Sequence, residues 1–126
     1  MLKFFRTLLL LPFLFVTTAF AAGQTFDQAT FDALQKEGKP IVVWIHASWC
    51  PTCKAQEPII SDLLKTPELQ PLTELRVDFD TQKDVVRSFK VQYQSTLIVF
   101  KGGHEVGRST GDTKKDSIAA LLKKAI

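Results

Sequence analysis

The sequence has few of the residues that hold metal ions or build disulfide frameworks. It contains two cysteines, Cys50 and Cys53, and two histidines, His46 and His104. A structural zinc site normally has four ligands at typical spacings, and His104 falls in a predicted hairpin turn. A c-type haem attachment requires a histidine directly after the second cysteine, where this chain has Lys54. We therefore expect no metal site and no bound cofactor.

Positive charge is neither abundant nor clustered. Of the 16 basic residues, 14 lie after the first 21 positions together with all 13 acidic residues, which leaves a net charge of +1. Because the lysines and arginines are interspersed with acids, the sequence has no basic patch of the kind that binds nucleic acid. It also has no repeat, low-complexity tract or interdomain linker. We expect one compact, monomeric domain without a nucleic-acid partner.

No apolar run reaches the roughly 20 residues that a membrane-spanning helix needs. Residues 8–20 are apolar, follow a short basic segment and end in an Ala-x-Ala pattern, which is typical of a secretory signal peptide. We predict a signal peptide over residues 1–21, cleaved after Ala21, and a single domain over residues 22–126. An uncleaved membrane anchor is the alternative. Export, for example to the periplasm, places the chain where disulfides form and persist.

Residues 41–54, IVVWIHASWCPTCK, contain both cysteines. The β-branched and aromatic run at their start predicts a strand buried on both faces. Pro51 suits the first turn of a helix, so Cys50 falls at a helix N-terminus, where a thiolate is stabilised. Cys53 lies on the same helix face and can close a disulfide with Cys50. One exposed, acidified sulfur with a resolving partner behind it predicts dithiol–disulfide exchange, and a purely structural disulfide is the alternative.

Several linked landmarks resemble the thioredoxin family. Residues 49–54, WCPTCK, are similar to its W-C-x-x-C-K active-site segment, and Pro58 matches the proline in its active-site helix. Residues 95–103, STLIVFKGG, are similar to the family's P-T-hydrophobic-F-K-x-G strand and turn, and Gly111 falls where the family has a glycine before its last helix. The resemblance covers residues 26–126. It implies an α/β thioredoxin fold, a central mixed sheet flanked by helices.

The resemblance also implies an activity and a substrate surface. We expect an exported thiol–disulfide oxidoreductase in which Cys50 attacks and Cys53 resolves, with protein disulfides or dithiols as substrates and a membrane electron donor. Reduction of substrates is favoured, because neither residue between the cysteines is cationic as in a dedicated oxidant. A binding or metal-handling module with weak redox turnover is the alternative. The expected substrate-binding residues are Trp49, Pro51, Thr52, Gln94 and Ser95.

The first departure from the family is Trp44, which stands where thioredoxins commonly carry a buried acid. In the family this acid is cast as the proton acceptor for the second thiol. Because tryptophan cannot act as a general base, Cys53 should be harder to deprotonate. Asp78, on the neighbouring predicted strand, is the nearest substitute, although acids at strand ends are commonly just solvated. His46 is expected at the rim, adding positive charge near Cys50 when protonated.

The second departure is Ser95, which stands where the family has a cis-proline packed against the dithiol. A cis peptide before serine costs about 3–4 kcal/mol, against under about 1 kcal/mol before proline. The retained spacing of the following strand and turn favours a cis Gln94–Ser95 peptide, and a relaxed trans loop is the alternative. A hydroxyl in place of a ring should also leave the sulfurs less shielded.

Hydrophobic periodicity and capping residues predict the remaining elements. The expected helices cover residues 26–37, 51–66, 81–89 and 112–125. The expected strands cover residues 41–45, 73–79, 96–100 and 105–109, with an optional first strand near residues 24–26.

Overall fold

The computed structural model describes residues 23–126, so the predicted signal peptide and its cleavage site lie outside the described residues. All predicted helices and strands are present, and the optional first strand is present too. Within this part of the chain, no helix combines the length and the apolar character needed to cross a membrane. The elements in chain order are β1 (Gln24–Thr25), α1 (Gln28–Lys36), β2 (Ile41–His46), α2 (Pro51–Leu64), β3 (Thr73–Asp78), α3 (Lys83–Ser88), β4 (Thr96–Lys101), β5 (His104–Thr110) and α4 (Lys115–Lys123).

The strands form one mixed sheet in the order β1-β3-β2-β4-β5. The first three of these are parallel, whereas β4 runs antiparallel to β2 and β5 antiparallel to β4. Strand β2 lies in the middle because its continuous apolar run can be buried on both faces, as the sequence predicts. Its last residue, His46, pairs with Asp78 at the end of β3, so α2 begins at the edge of the sheet where two parallel strands end.

Alternating residues of the strands face two separate hydrophobic cores. On one face, Trp44 and Leu97 pack with buried residues of α2 and α4, among them Ile60 and Ile118. On the other face, Phe31 of α1 and Val86 of α3 pack against the sheet. Because side chains of β2 are buried in both cores, β2 is held firmly in place, and it is a rigid start for the helix that follows it.

Helix α4 begins three residues later than the sequence predicts. The Asp112 side chain accepts a hydrogen bond from the backbone N–H of Lys114 (2.9 Å), which holds residues 112–114 in a turn instead of a helix. Gly111 precedes this turn with φ +76°, and its N–H donates to the carbonyl of Ser95 (2.9 Å). The connection between β5 and α4 is therefore tied to the start of β4.

The left-handed backbone of Gly111 gives a direct test of this connection. A Cβ atom added at Gly111 would meet no heavy atom within 4 Å, so a substitution there strains only the backbone. We expect Gly111→Ala to lower the free energy of unfolding by about 1–2 kcal/mol, and Gly111→Asn to lower it less, because asparagine tolerates this conformation. Urea unfolding followed by tryptophan fluorescence measures both values. Equal losses would show that backbone strain is not the cause.

Candidate active site

Cys50 is the N-cap residue of α2, as its position before Pro51 predicts. Its backbone is extended (φ −83°, ψ 114°), and Pro51 occupies the first turn, where a missing N–H leaves no carbonyl unpaired. The Sγ atom of Cys50 accepts a hydrogen bond from the backbone N–H of Cys53 (3.2 Å). The sulfur thus takes the place of the oxygen of an ordinary capping side chain, facing unpaired N–H groups at the positive end of the helix dipole.

The two sulfurs are buried, contrary to the expectation of an exposed Cys50. Cys50 and Cys53 are free thiols, and each residue is only 2% exposed. The hydroxyl of Ser95 lies 3.1 Å from each of the two Sγ atoms, and Ser95 itself is 3% exposed. The expectation that a serine would leave the sulfurs less shielded is therefore wrong, because its hydroxyl makes polar contacts that draw it onto both of them.

The Gln94–Ser95 peptide is trans, and the prediction of a cis peptide is wrong. The described residues contain no cis peptide bond, and Ser95 instead adopts φ +62°. Serine lacks the ring that makes a cis bond inexpensive, whereas the left-handed region costs about 1–2 kcal/mol. Two hydrogen bonds to the Ser95 carbonyl hold this conformation, from the Gly111 N–H (2.9 Å) and from Nε2 of Gln56 (3.1 Å).

The environment separates the pKa values of the two thiols. Burial acts to raise the pKa of Cys50, but hydrogen bonds from the Cys53 and Ser95 side chains and from the N–H groups of Cys53 and Thr52 outweigh it and lower the pKa. For Cys53, burial and the hydrogen bond with Cys50 together raise the pKa. Cys50 is therefore the thiol that ionises first, and the expectation that Cys53 is harder to deprotonate agrees with this direction.

A neutral hydrogen-bond network occupies the place of the family's buried acid. Trp44 is 2% exposed, and its Nε1 donates to Oε1 of Gln56 (2.9 Å). Gln56 is fully buried, and its Nε2 donates to the carbonyls of Ser95 (3.1 Å) and Asp112 (2.8 Å). The sequence analysis missed Gln56. The available signal was a polar residue one helical turn after Cys53, on the side of α2 that must face the core.

Asp78 orders the loop that follows β3, a role different from both a proton acceptor and a merely solvated acid. Its Oδ1 accepts hydrogen bonds from the N–H groups of Asp80 (2.9 Å) and Thr81 (3.0 Å), so it orders the loop after β3. The bond from the Thr81 N–H is the main cause that lowers the pKa of Asp78. An acid held ionised by its own loop is a poor proton acceptor for Cys53.

His46 does not add positive charge beside Cys50 at neutral pH. Its ring stacks on Trp44 with the centroids 4.7 Å apart, and burial, with a contribution from the nearby Arg76, lowers its pKa. The imidazole is therefore mainly neutral at pH 7. The rim position predicted for His46 agrees with its half-buried side chain, whereas the predicted charge does not.

The remaining predicted substrate-binding residues are more accessible than the two cysteines. Trp49 is 55% exposed, and its Nε1 donates to Oδ2 of Asp80 (2.7 Å), which fixes the indole at the surface. Pro51 is exposed, whereas Thr52 and Gln94 are half-buried. The sequence analysis missed Tyr93, which is 65% exposed next to Gln94. The signal for it was a lone tyrosine in a loop. Among residues 23–126, no three His, Cys, Asp or Glu side chains converge as metal ligands.

The comparison with known proteins agrees with this geometry. A family model described as Thioredoxin matches residues 21–124. The chain belongs to the thioredoxin family. Its fold and its family, both predicted from the sequence, are confirmed. The family is one of thiol–disulfide oxidoreductases that generally act on protein disulfides, and Cys50 and Cys53 supply the dithiol which that chemistry requires.

This chain matches different shares of the length of individual relatives. The thioredoxin of Chlamydia trachomatis serovar D is 37% identical over 84 residues, 67% of this chain and 80% of that protein. A bifunctional thioredoxin reductase/thioredoxin of Mycobacterium leprae is 34% identical over 111 residues, 86% of this chain, but this chain spans only 23% of that protein. The solved structure of Trxlp from Edwardsiella tarda EIB202 has a TM-score of 0.78 and 38% identity, covering 80% of this chain and 98% of that chain.

The trans peptide at Ser95 predicts the effect of restoring the family's proline. Proline fixes φ near −65°, which is incompatible with φ +62° at Ser95. We expect Ser95→Pro to lower the free energy of unfolding of the reduced protein by more than about 1 kcal/mol. Ser95→Ala is the control, because it removes the hydroxyl without the ring. Thermal and urea unfolding measure both variants, and a stabilised proline variant would contradict the trans, left-handed conformation.

Proposed function

We propose that this protein is an exported thiol–disulfide oxidoreductase that reduces disulfides in other proteins, with Cys50 as the attacking thiol and Cys53 as the resolving one. The observation that carries the assignment is the Cys50 sulfur at the N-terminus of α2, hydrogen-bonded to the Cys53 N–H (3.2 Å) and to the Ser95 hydroxyl (3.1 Å). These bonds favour a thiolate on Cys50, and the thiolate is the nucleophile in disulfide exchange.

The proposed reaction has two exchange steps. The Cys50 thiolate attacks one sulfur of a substrate disulfide, which forms a mixed disulfide and releases the other substrate sulfur as a thiolate. Cys53 then loses its proton and attacks Cys50 Sγ, which closes the Cys50–Cys53 disulfide and releases the second substrate sulfur. The substrate gains two electrons and the protein loses two. A dithiol donor, proposed to lie in the membrane, must return them.

The direction of transfer is argued from the donors around Cys50. Its sulfur receives hydrogen bonds from a backbone N–H and a neutral hydroxyl, and the residues between the cysteines, Pro51 and Thr52, carry no charge. Charge-assisted hydrogen bonds are roughly twice as strong as neutral ones. A thiolate without a cationic partner is stabilised less, so the reduced dithiol is favoured less than in a dedicated oxidant, and the pair gives up its electrons more readily. The reduction potential of the Cys50–Cys53 pair measures directly whether the protein is a reductant or an oxidant of its substrates.

One observation favours a second candidate, a thioredoxin-fold binding module with little turnover. Cys50 is 2% exposed and the Ser95 hydroxyl lies 3.1 Å from its sulfur, so a substrate disulfide reaches the sulfur only if the Ser95 loop moves. Insulin reduction separates the two candidates. Reduction that is lost in Cys50→Ser supports the oxidoreductase, whereas equally low rates for both proteins support the binding module.

The roles of the two cysteines can be tested by alkylation of the reduced protein. Because the pKa of Cys50 is lowered and that of Cys53 raised, Cys50 should react first with iodoacetamide, and its rate should level off at a lower pH. Peptide mass spectrometry identifies the modified residue. Cys53→Ser should accumulate mixed disulfides with substrate, and Cys50→Ser should not. Faster labelling of Cys53 would reverse the assignment.

The proposed export can be tested by expressing the full chain in a Gram-negative host. The signal-peptide pattern predicts a periplasmic product that begins at Ala22. N-terminal sequencing of the fractionated protein checks this start. A variant with the Ala-x-Ala pattern disrupted, Ala21→Arg, should keep the longer, unprocessed chain. Recovery of the wild-type protein with residue 1 still present would contradict cleavage.

A further inference from the structure

A continuous chain of polar groups joins the core under β2 to the two sulfurs. The Trp44 indole donates to the Gln56 amide, the amide donates to the Ser95 carbonyl, and the Ser95 hydroxyl contacts Cys50 and Cys53. Each of the five residues is at most 3% exposed, so no bulk water competes for these groups. The exchange reaction as described above uses only the last three of them.

We propose that Gln56 is a positioning residue for the dithiol: tethered by the Trp44 indole, its amide holds the Ser95 carbonyl so that the Ser95 hydroxyl stays hydrogen-bonded to both sulfurs. The inference rests on the proposed function, because it concerns the same nucleophile, Cys50. Gln56 acts through Ser95 and touches neither sulfur.

The chemistry of the position requires a side-chain amide. Gln56 must accept one hydrogen bond, from Trp44 Nε1 (2.9 Å), and donate two, to the carbonyls of Ser95 (3.1 Å) and Asp112 (2.8 Å). Only asparagine and glutamine combine a carbonyl acceptor with an NH₂ group that donates twice. The acceptor bond from Trp44 also fixes which end of the amide is the NH₂ group. Glutamine at this position therefore has all its polar atoms in use.

The Ser95 conformation explains why a tether is needed. A non-glycine residue at φ +62° is strained and persists only when its surroundings hold it. The Gly111 N–H and Gln56 Nε2 both bond to the Ser95 carbonyl, from the β5–α4 connection and from α2 respectively. Without the bond from Gln56, the loop that carries the hydroxyl would be joined to the helix of both cysteines only through the hydroxyl's own contacts with the sulfurs.

Proton counting assigns the direction of the two bonds to the hydroxyl. Ser95 has one O–H hydrogen, so it donates to one sulfur only and accepts from the other. When Cys50 is the thiolate, Ser95 Oγ–H donates to Cys50 Sγ, and the single S–H hydrogen of Cys53 is shared between Ser95 Oγ and Cys50 Sγ. The lowered pKa of Cys50 agrees with this arrangement, because a donated bond stabilises the thiolate.

The test compares the wild-type protein with Gln56→Met. Methionine keeps an unbranched side chain of similar length but removes all three hydrogen bonds of Gln56. We expect the pH profile for alkylation of Cys50 to move to higher pH, and the rate at neutral pH to fall about four- to fifteenfold. A weakened hydrogen bond to the thiolate lowers the ionised fraction by about tenfold or more, and the higher nucleophilicity of the more basic thiolate recovers part of the rate. Peptide mass spectrometry and the ultraviolet absorbance of the thiolate give independent readings. An unchanged profile in a folded Gln56→Met protein would overturn the proposal.

A double-mutant cycle separates positioning from a general effect on the core. If Gln56 acts through Ser95, Gln56→Met should change the profile in the wild-type background but not in Ser95→Ala. Additive shifts would overturn the proposal, because Gln56 would then act independently of the hydroxyl. Ile60→Val, a buried change one turn further along α2, is the matched control and should leave the profile in place. A shift in this control equal to that of Gln56→Met would also overturn it.

A second variant keeps the test decisive if Gln56→Met does not fold. Trp44→Phe removes the indole N–H that tethers Gln56 and leaves the amide itself intact, so the same upward shift of the Cys50 profile is expected, and it should again vanish in Ser95→Ala. An unshifted profile in Trp44→Phe would overturn the proposal that the Trp44 indole tethers Gln56. Alkylation needs no protein substrate, so these outcomes are independent of insulin reduction. The inference can fail while the oxidoreductase function stands, and the function can fail while the shift is observed.

Discussion

The hydrogen bonds between the Ser95 hydroxyl and the two sulfurs require three separate parts of the chain to meet within about one side chain's length. The cysteines come from the start of α2, Ser95 from the residue before β4, and the carbonyl of Ser95 is held from the residue after β5. Because β2 and β4 are neighbours in the sheet, α2 and the Ser95 loop leave it at the same edge. The sheet thus sets the distance between α2 and the Ser95 loop, and the hydrogen bonds set the orientation of the Ser95 hydroxyl.

Replacing a buried acid by Trp44 changes the kind of polar interior that this fold contains. An ionised carboxylate in the core has a large desolvation cost, whereas an amide costs less and can be fully compensated by hydrogen bonds. Gln56 is fully buried but has three partners, so its burial leaves little unpaired polarity. The large indole fills the same core as Ile60 and Leu97, and its N–H becomes a fixed donor instead of a titrating group. The same pair of residues therefore fills the core and makes the hydrogen bonds that we propose position Ser95.

The sequence predicts the fold better than it predicts the details of the site. The strands and helices follow from strong local patterns, such as the apolar run of β2 and the proline after Cys50, and these survive in the structure. The conformation of Ser95 does not follow from local pattern, because cis and left-handed trans differ by only a few kcal/mol and tertiary hydrogen bonds decide between them. The burial of Cys50 and the partners of Gln56 likewise depend on residues about 40 positions away.

Because the hydrogen-bond network around the sulfurs contains no titrating acid, the pKa of each thiol depends on the state of the other. Burial and the bond with Cys50 are the leading causes that raise the pKa of Cys53, and the charge on Cys50 adds to them. When Cys50 enters a mixed disulfide, its negative charge and its hydrogen bond to Cys53 both disappear, while burial remains. The pKa of Cys53 then falls from its level in the free dithiol, because two of the causes that raised it are gone. Attack on the substrate thus itself eases the deprotonation of the resolving thiol, in a site where Trp44 cannot accept the proton.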